Sequence, residues 1–129
     1  VKIGINDVWH QFSGVENGGT TIEKFRESFI DILERLRLAC PECALVLCEP
    51  SVIWPPAPAE GNARLQPYIE AVHEMREKFD AGWVVPLHAA FENGRTLRPD
   101  IDWATDGVHP TSAGHMLIAR TWLGTLGLL

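Results

Sequence analysis

Short apolar runs alternate along the chain with longer stretches in which apolar residues recur every three or four positions. This is the rhythm of strands joined by crossover helices in a mainly parallel sheet. The first run, Val1–Ile5, is β-rich and ends at the turn-forming pair Asn6-Asp7. A polar loop through Asn17, Gly18 and Gly19 leads to Thr20, and Glu23 follows three positions later, the spacing of a capping box. A helix is predicted from there, with Ile22, Phe25, Phe29, Ile32, Leu33 and Leu36 on one apolar stripe and Pro41 as its stop. Ala44–Cys48 is a continuous apolar run, as in a strand covered on both faces, and Glu49-Pro50 ends it. Pro50, Pro55, Pro56 and Pro58, with Trp54 among them, predict a stiff loop, because proline lacks an amide donor and fixes its own φ. Leu65, Ile69, Val72, Met75 and Phe79 mark a second amphipathic helix with a stop near Ala81-Gly82. Trp83–Leu87 reads as a third strand whose Pro86 suits a strand end or sheet edge. From Ala89 to Gly107 the pattern is polar and irregular. Thr111 or Ser112 then caps a last helix carrying Met116, Leu117, Ile118, Trp122 and Leu123.

The 129 residues, 46% apolar and 22% charged, have the composition of one globular domain or less. Eleven Lys and Arg against seventeen Asp and Glu leave a net charge of -6, which argues against nucleic acid and anionic membranes as partners. No apolar run reaches the ~18 to 20 residues of a membrane-spanning helix, and the first residues lack the basic, apolar, small-residue order of a signal peptide. The three cysteines, Cys40, Cys43 and Cys48, are an odd number clustered together, so a disulfide framework is not expected and a reducing, cytoplasmic location is.

Two segments hold residue types suited to acyl transfer. Asn6 follows a strand, where an open α/β sheet presents groups at its carboxyl edge, and its amide can donate to an oxygen that becomes negative in a transition state. The same Asn6-Asp7 pair also reads as an ordinary turn. In Asp106-Gly107-Val108-His109-Pro110, a carboxylate three residues from a histidine can hold the imidazole tautomer while the other ring nitrogen takes a proton. The bland alternative is a helix lead-in with Asp106 in a turn and His109 exposed. Trp9, Trp54 and Trp103 fall in segments that ring the same crevice, as flat platforms for a sugar or as loop anchors against a core. Cys40-Pro41-Glu42-Cys43 has redox-pair spacing but closes a helix instead of opening one, so packing thiols are expected. His10, His73, His88 and His115 share no motif, and His73 with Glu70 or Glu74 reads as a solvated helix face. Asp100, Asp102 and Asp106 lack the Gly and distal Glu of a calcium loop, and no metal site is expected.

The segments "IGINDVW" and "DGVHPTSAGH" closely resemble the third and fifth sequence blocks of the SGNH, or GDSL, family of serine esterases. The resemblance implies that Asn6 completes an oxyanion hole and that Asp106 and His109 belong to a Ser-His-Asp triad. It implies a flavodoxin-like, three-layer α/β/α fold with a parallel sheet in order 2-1-3-4-5, in which the run at Val1 is the third strand. The wider wording, with Gln11-Phe12 after the first block and "VHPTSAGHMLIAR" late on, looks most like the branch of acetylxylan and other carbohydrate acetyl esterases.

The family's nucleophile block is not in this sequence. Of Ser13, Ser28, Ser51 and Ser112, Ser28 falls inside a helix, Ser112 is a cap candidate, and Ser51, just past the second strand, has no nucleophile elbow around it. Residues 1–129 are therefore expected to be the C-terminal portion of a single SGNH hydrolase domain, with the first strands missing from this chain and no turnover by this portion alone. The expected function is a serine ester hydrolase removing a small acyl group, acetyl in the first instance, from a small-molecule or oligosaccharide ester. It requires no metal or organic cofactor, and the expected associations are a complementing N-terminal segment or a homo-oligomer. The rival readings are a lysophospholipase or thioesterase of the same family, and a non-catalytic domain that keeps the fold without its nucleophile.

Overall fold

In the computed structural model, which describes residues 1–14, 16–51, 54 and 60–129, the order is α1 (Ile5–Trp9), a 3-10 turn (His10–Phe12), α2 (Ile22–Ala39), β1 (Val46–Cys48), α3 (Gly61–Lys78), β2 (Trp83–Val85), α4 (Leu87–Leu97) and α5 (Ser112–Thr125). The prolines expected to stiffen positions 55, 56 and 58 lie outside the described residues.

The first strand is shorter than its wording. Only Lys2 pairs, in parallel with Cys48, because Gly4 takes φ +111° and turns the chain into α1, so Asn6 and Asp7 are helical instead of forming a turn. Glycine is required at position 4 on two counts. Its φ is one that side chains rarely adopt, and a Cβ there would meet Pro50 at 3.3 Å and the Phe25 ring at 3.5 Å. The cap of α2 is Thr21, not Thr20: its Oγ1 accepts the Lys24 N–H at 3.3 Å. Phe25, Phe29 and Leu33 are buried, whereas Ile32 and Leu36 stay more than one-third exposed, because the helix is covered along a single row only. α3 stops at Lys78 through Asp80, which adopts the left-handed φ of +47° that Asp tolerates better than most residues, and not through Gly82.

β1 and β2 pair in parallel, with Val46, Leu47 and Cys48 opposite Trp83, Val84 and Val85. Pro86 and Leu87, expected in the third strand, leave the sheet instead and open α4, a helix within the stretch expected to be irregular. Alternation along β1 separates two cores. Leu45 and Leu47 join Phe25, Phe29, Leu33, Leu65, Val72 and Met75 beneath α2 and α3, whereas Cys48 joins Val85 and Leu87 beneath Ile118 and Trp122 of α5. Helices thus cover both faces of a parallel sheet ordered as residues 1–3, β1, β2, the α/β/α arrangement expected for strands three to five. Each fully buried Leu or Phe contributes ~1.5 to 3 kcal/mol to holding these layers together. No helix among the described residues is long and apolar enough to cross a membrane.

Candidate active site

The loop between α4 and α5 is folded by its own side chains. Asp106 Oδ1 accepts the backbone N–H groups of Val108 (3.0 Å) and His109 (2.7 Å), the Asx pattern by which a short carboxylate builds a turn. Gly107 supplies the φ of +78° that this turn requires. The second carboxylate oxygen, Oδ2, lies 2.6 Å from His109 Nδ1. One aspartate therefore shapes the backbone and orients the imidazole at once. These bonds, led by the His109 backbone and side chain, lower the Asp106 carboxyl to about 2. Ionised Asp106 then holds Nδ1 as the protonated nitrogen. The His109 side chain is 63% exposed, leaving Nε2 as the nitrogen available to a substrate-side proton.

The loop is anchored at both ends. Thr111 Oγ1 donates to Asp102 O (2.6 Å), and Thr111 N–H donates to Trp103 O (3.0 Å). Gly114, in the first turn of α5, lets the loop lie directly on the helix, since a Cβ there would be 2.3 Å from Trp103 O. Val108 is buried in the same core cluster as Val8 of α1, so packing brings the first and last segments of the chain together. Trp9, next to Val8, meets the His109 ring edge-on, with centroids 5.3 Å apart and planes at 90°. Asn6 is exposed and lies three residues before Trp9, on the same face of α1. α1 is secured from its far end, where Asp7 O accepts from Thr20 N–H (3.1 Å) and from Gln11 Nε2 (3.1 Å), and the Tyr68 hydroxyl donates to Thr20 O.

The other two tryptophans point elsewhere. Trp54 is buried 6.0 Å from the Phe91 ring with the Arg95 guanidinium over it, and Trp103 packs into the same cluster while donating Nε1–H to Arg98 O. Of the three, Trp9 is the one brought to the imidazole. Trp54 still ties its loop to the site, donating its N–H to Gly107 O (3.4 Å). Ser51 is buried, with an Oγ that has no hydrogen-bond partner among the described residues. A cleft of about 490 Å³ lined by Gln11, Thr20, Thr21, Glu23, Arg64 and Tyr68 adjoins the end of the 3-10 turn and does not include Asp106 or His109. Among the described residues no three His, Cys, Asp or Glu gather as a metal ion requires.

Sequence reading missed a second carboxylate–histidine pair. Glu49, buried just past β1, contacts His73 Nε2 at 2.9 Å, so His73, on the exposed face it shares with Glu70 and Glu74 as expected, also has a partner from the sheet edge, while Glu74 pairs with Arg26. The two partners are 24 positions apart, a separation at which spacing carries no signal.

Residues 1–117 match the GDSL-like Lipase/Acylhydrolase family. The chain belongs to that family. An acetylxylan esterase of Geobacillus stearothermophilus is 29% identical over 133 residues, covering 98% of this chain. Among solved structures, a GDSL-like lipase candidate from Parabacteroides merdae superposes with a TM-score of 0.86 at 28% identity over 98% of the chain. LAE5, an alpha/beta hydrolase from the metagenome of Lake Arreo, gives 0.82 at 26% identity over 99% of it. The chain spans 58% of the length of each of these three proteins.

Proposed function

We propose that the chain contributes the general base, its orienting carboxylate and an oxyanion donor to a serine-type carboxylic ester hydrolase. The enzyme removes a small acyl group, acetyl in the first instance, from a carbohydrate-like alcohol. The observation that carries this reading is the 2.6 Å contact between Asp106 Oδ2 and His109 Nδ1, on an exposed imidazole packed against the helix that bears Asn6. Supporting it, Axe2, an acetylxylan esterase from Geobacillus stearothermophilus with the same fold, has been solved as catalytic mutants at a serine early in its chain, an aspartate and a histidine, the last two three positions apart, as Asp106 and His109 are.

In this mechanism a serine hydroxyl from polypeptide outside residues 1–129 attacks the acyl carbon as His109 Nε2 takes its proton. Asp106 stabilises the imidazolium that forms. The Asn6 carboxamide donates to the oxygen that becomes negative. As the tetrahedral intermediate collapses, His109 returns the proton to the departing alkoxide. It then deprotonates the water that frees the enzyme from its acyl group.

The test is p-nitrophenyl acetate turnover combined with fluorophosphonate labelling and peptide mapping of the complete enzyme. A burst of p-nitrophenol that disappears in His109→Ala is expected, and an undiminished burst removes His109 from the mechanism. The label is expected on a serine outside residues 1–129, and a label on Ser51 overturns that placement of the nucleophile. Rates falling from acetyl to octanoyl esters are expected, whereas a steady rise identifies a lysophospholipase or thioesterase.

A further inference from the structure

The turn after α2 carries chemistry that ester hydrolysis does not use. Packing thiols are expected from the sequence there, yet Cys40 and Cys43 are both exposed, and Cys48 in β1 is the one that is buried. Cys40 ends α2 by donating its N–H to Leu36 O (2.8 Å), and Cys43 N–H closes the next four residues on Cys40 O (3.1 Å). That bond makes Cys40–Cys43 a β-turn, whose first and fourth Cα atoms lie within about 7 Å. Disulfide-bonded residues have Cα atoms about 4.4 to 6.8 Å apart. Pro41, at the second turn position, fixes φ near the turn value and so removes much of the freedom a bridge would have to quench. The two thiols hydrogen-bond to each other, which pushes the Cys43 thiol up. Arg37 steadies the platform, donating to Cys43 O (2.8 Å), Phe79 O (2.8 Å) and Asp80 O (3.2 Å), and so ties the turn to the end of α3.

We propose that Cys40 and Cys43 form a thiol–disulfide exchange site whose substrate is a low-molecular-weight disulfide and whose product is an intramolecular bridge across this turn. With oxidised glutathione, the Cys40 thiolate attacks one sulfur, forming a protein–glutathione mixed disulfide and releasing one glutathione thiolate. The Cys43 thiolate then attacks the Cys40 sulfur, forming the Cys40–Cys43 bond and releasing the second glutathione. The protein gives up two protons and two electrons, and the substrate takes up both as two thiols. The bond between the thiols raises the Cys43 thiol, which favours Cys40 as the first to attack. Unlike a redox enzyme's pair, which opens a helix and has its thiolate favoured by the dipole, this one follows a helix C-terminus, where the dipole opposes a thiolate. Such a site accepts oxidising equivalents and keeps them. The bridge forms at the end of the sheet where β1 begins, away from the loop that bears His109.

The experiment equilibrates the reduced protein with oxidised and reduced glutathione, in buffer and in urea, quenches with an alkylating agent, and reads intact mass and peptide maps. In the folded protein a Cys40–Cys43 bridge is expected, seen as a loss of two hydrogens, with an equilibrium constant about tenfold or more above that in urea. By linkage, the bridged protein then resists urea better by the same factor. Cys43→Ser is expected to trap one glutathione on Cys40, and Cys48 to be alkylated only after unfolding. Equal constants in buffer and urea overturn the proposal, as do two glutathione adducts persisting on the folded protein, or a bridge that includes Cys48.

Discussion

Asp106 performs two tasks with two oxygens, and the tasks separate under mutation. The backbone bonds at Oδ1 survive in Asp106→Asn, but the contact with His109 Nδ1 then faces a neutral amide that no longer favours the working tautomer. In the complete enzyme kcat is expected to fall roughly ten-thousandfold with little change in fold. Circular dichroism that shows unfolding would mean that Oδ2 is structural as well. The carboxyl also makes stability depend on pH with a definite sign. Its folded value, about 2, lies below the ordinary 3.8, so the unfolded chain binds the proton more tightly, and the stabilisation is complete above about pH 4 and lost as pH falls through about 2. Urea midpoints of the wild type and Asp106→Asn are expected to converge over that interval, and a constant gap removes Asp106 as the source. Asn6→Ala is expected to lower kcat roughly a hundredfold to a thousandfold with KM nearly unchanged, because in the proposed mechanism its bond strengthens only as the oxyanion forms. A change in KM alone would place Asn6 in ground-state binding. The Asp106–His109 pair is legible in the sequence because three residues of loop suffice to bring it together. The contact of Trp9 with His109 is not, since it crosses the whole chain and depends on which way α1 turns after Gly4.

α4 shows why the helices are unevenly legible in the sequence. α2, α3 and α5 carry long apolar rows or a local Thr cap, and their places follow from periodicity. α4 buries only Leu87 and Phe91, contains Asn93 and Gly94, and starts at Pro86 with no side-chain cap of its own, so local pattern gives it no signature. Its cap comes from the residue after β1: Glu49 Oε2 accepts the His88 N–H at 3.1 Å, placing a buried carboxylate at the positive end of the helix. Glu49→Ala removes that acceptor and leaves the half-buried His88 amide unpaired, with an expected cost of ~1 to 3 kcal/mol. Glu49→Gln, which keeps an oxygen there, should recover about half. Amide hydrogen exchange at His88 and Ala89 reports α4 directly. Exchange unchanged in Glu49→Ala would show that the helix start is held by packing alone.

At the scale of the molecule, the site exists because one core holds both ends of the sequence. Val8 and Val108, separated by nearly the whole chain, are buried in the cluster that α2, α3 and β1 build, and their neighbours Trp9 and His109 meet on its surface. A mainly parallel sheet with crossover helices is readable from strands alternating with amphipathic helices, and its three-layer form from the family resemblance. The convergence of α1 with the last loop is not, because a periodic pattern tells which face is buried but not against which partner. This division predicts a coupling. Val8→Ala and Val108→Ala each remove two methyl groups from the core, at an expected cost of ~1 to 3 kcal/mol. If the two side chains support one junction, the first cavity loosens the contacts the second would have broken, and the double variant costs less than the sum by at least ~0.5 kcal/mol. The same loosening lets the imidazole drift from α1, so in the complete enzyme Val108→Ala is expected to lower kcat under conditions where it remains fully folded. Phe29→Ala, a larger cavity in the same cluster but on the α2 side, should cost ~3 to 5 kcal/mol and spare kcat. Additive costs for the two valines, or a loss of kcat in Phe29→Ala as large as in Val108→Ala, would mean that the core stabilises the fold without registering the two halves of the site.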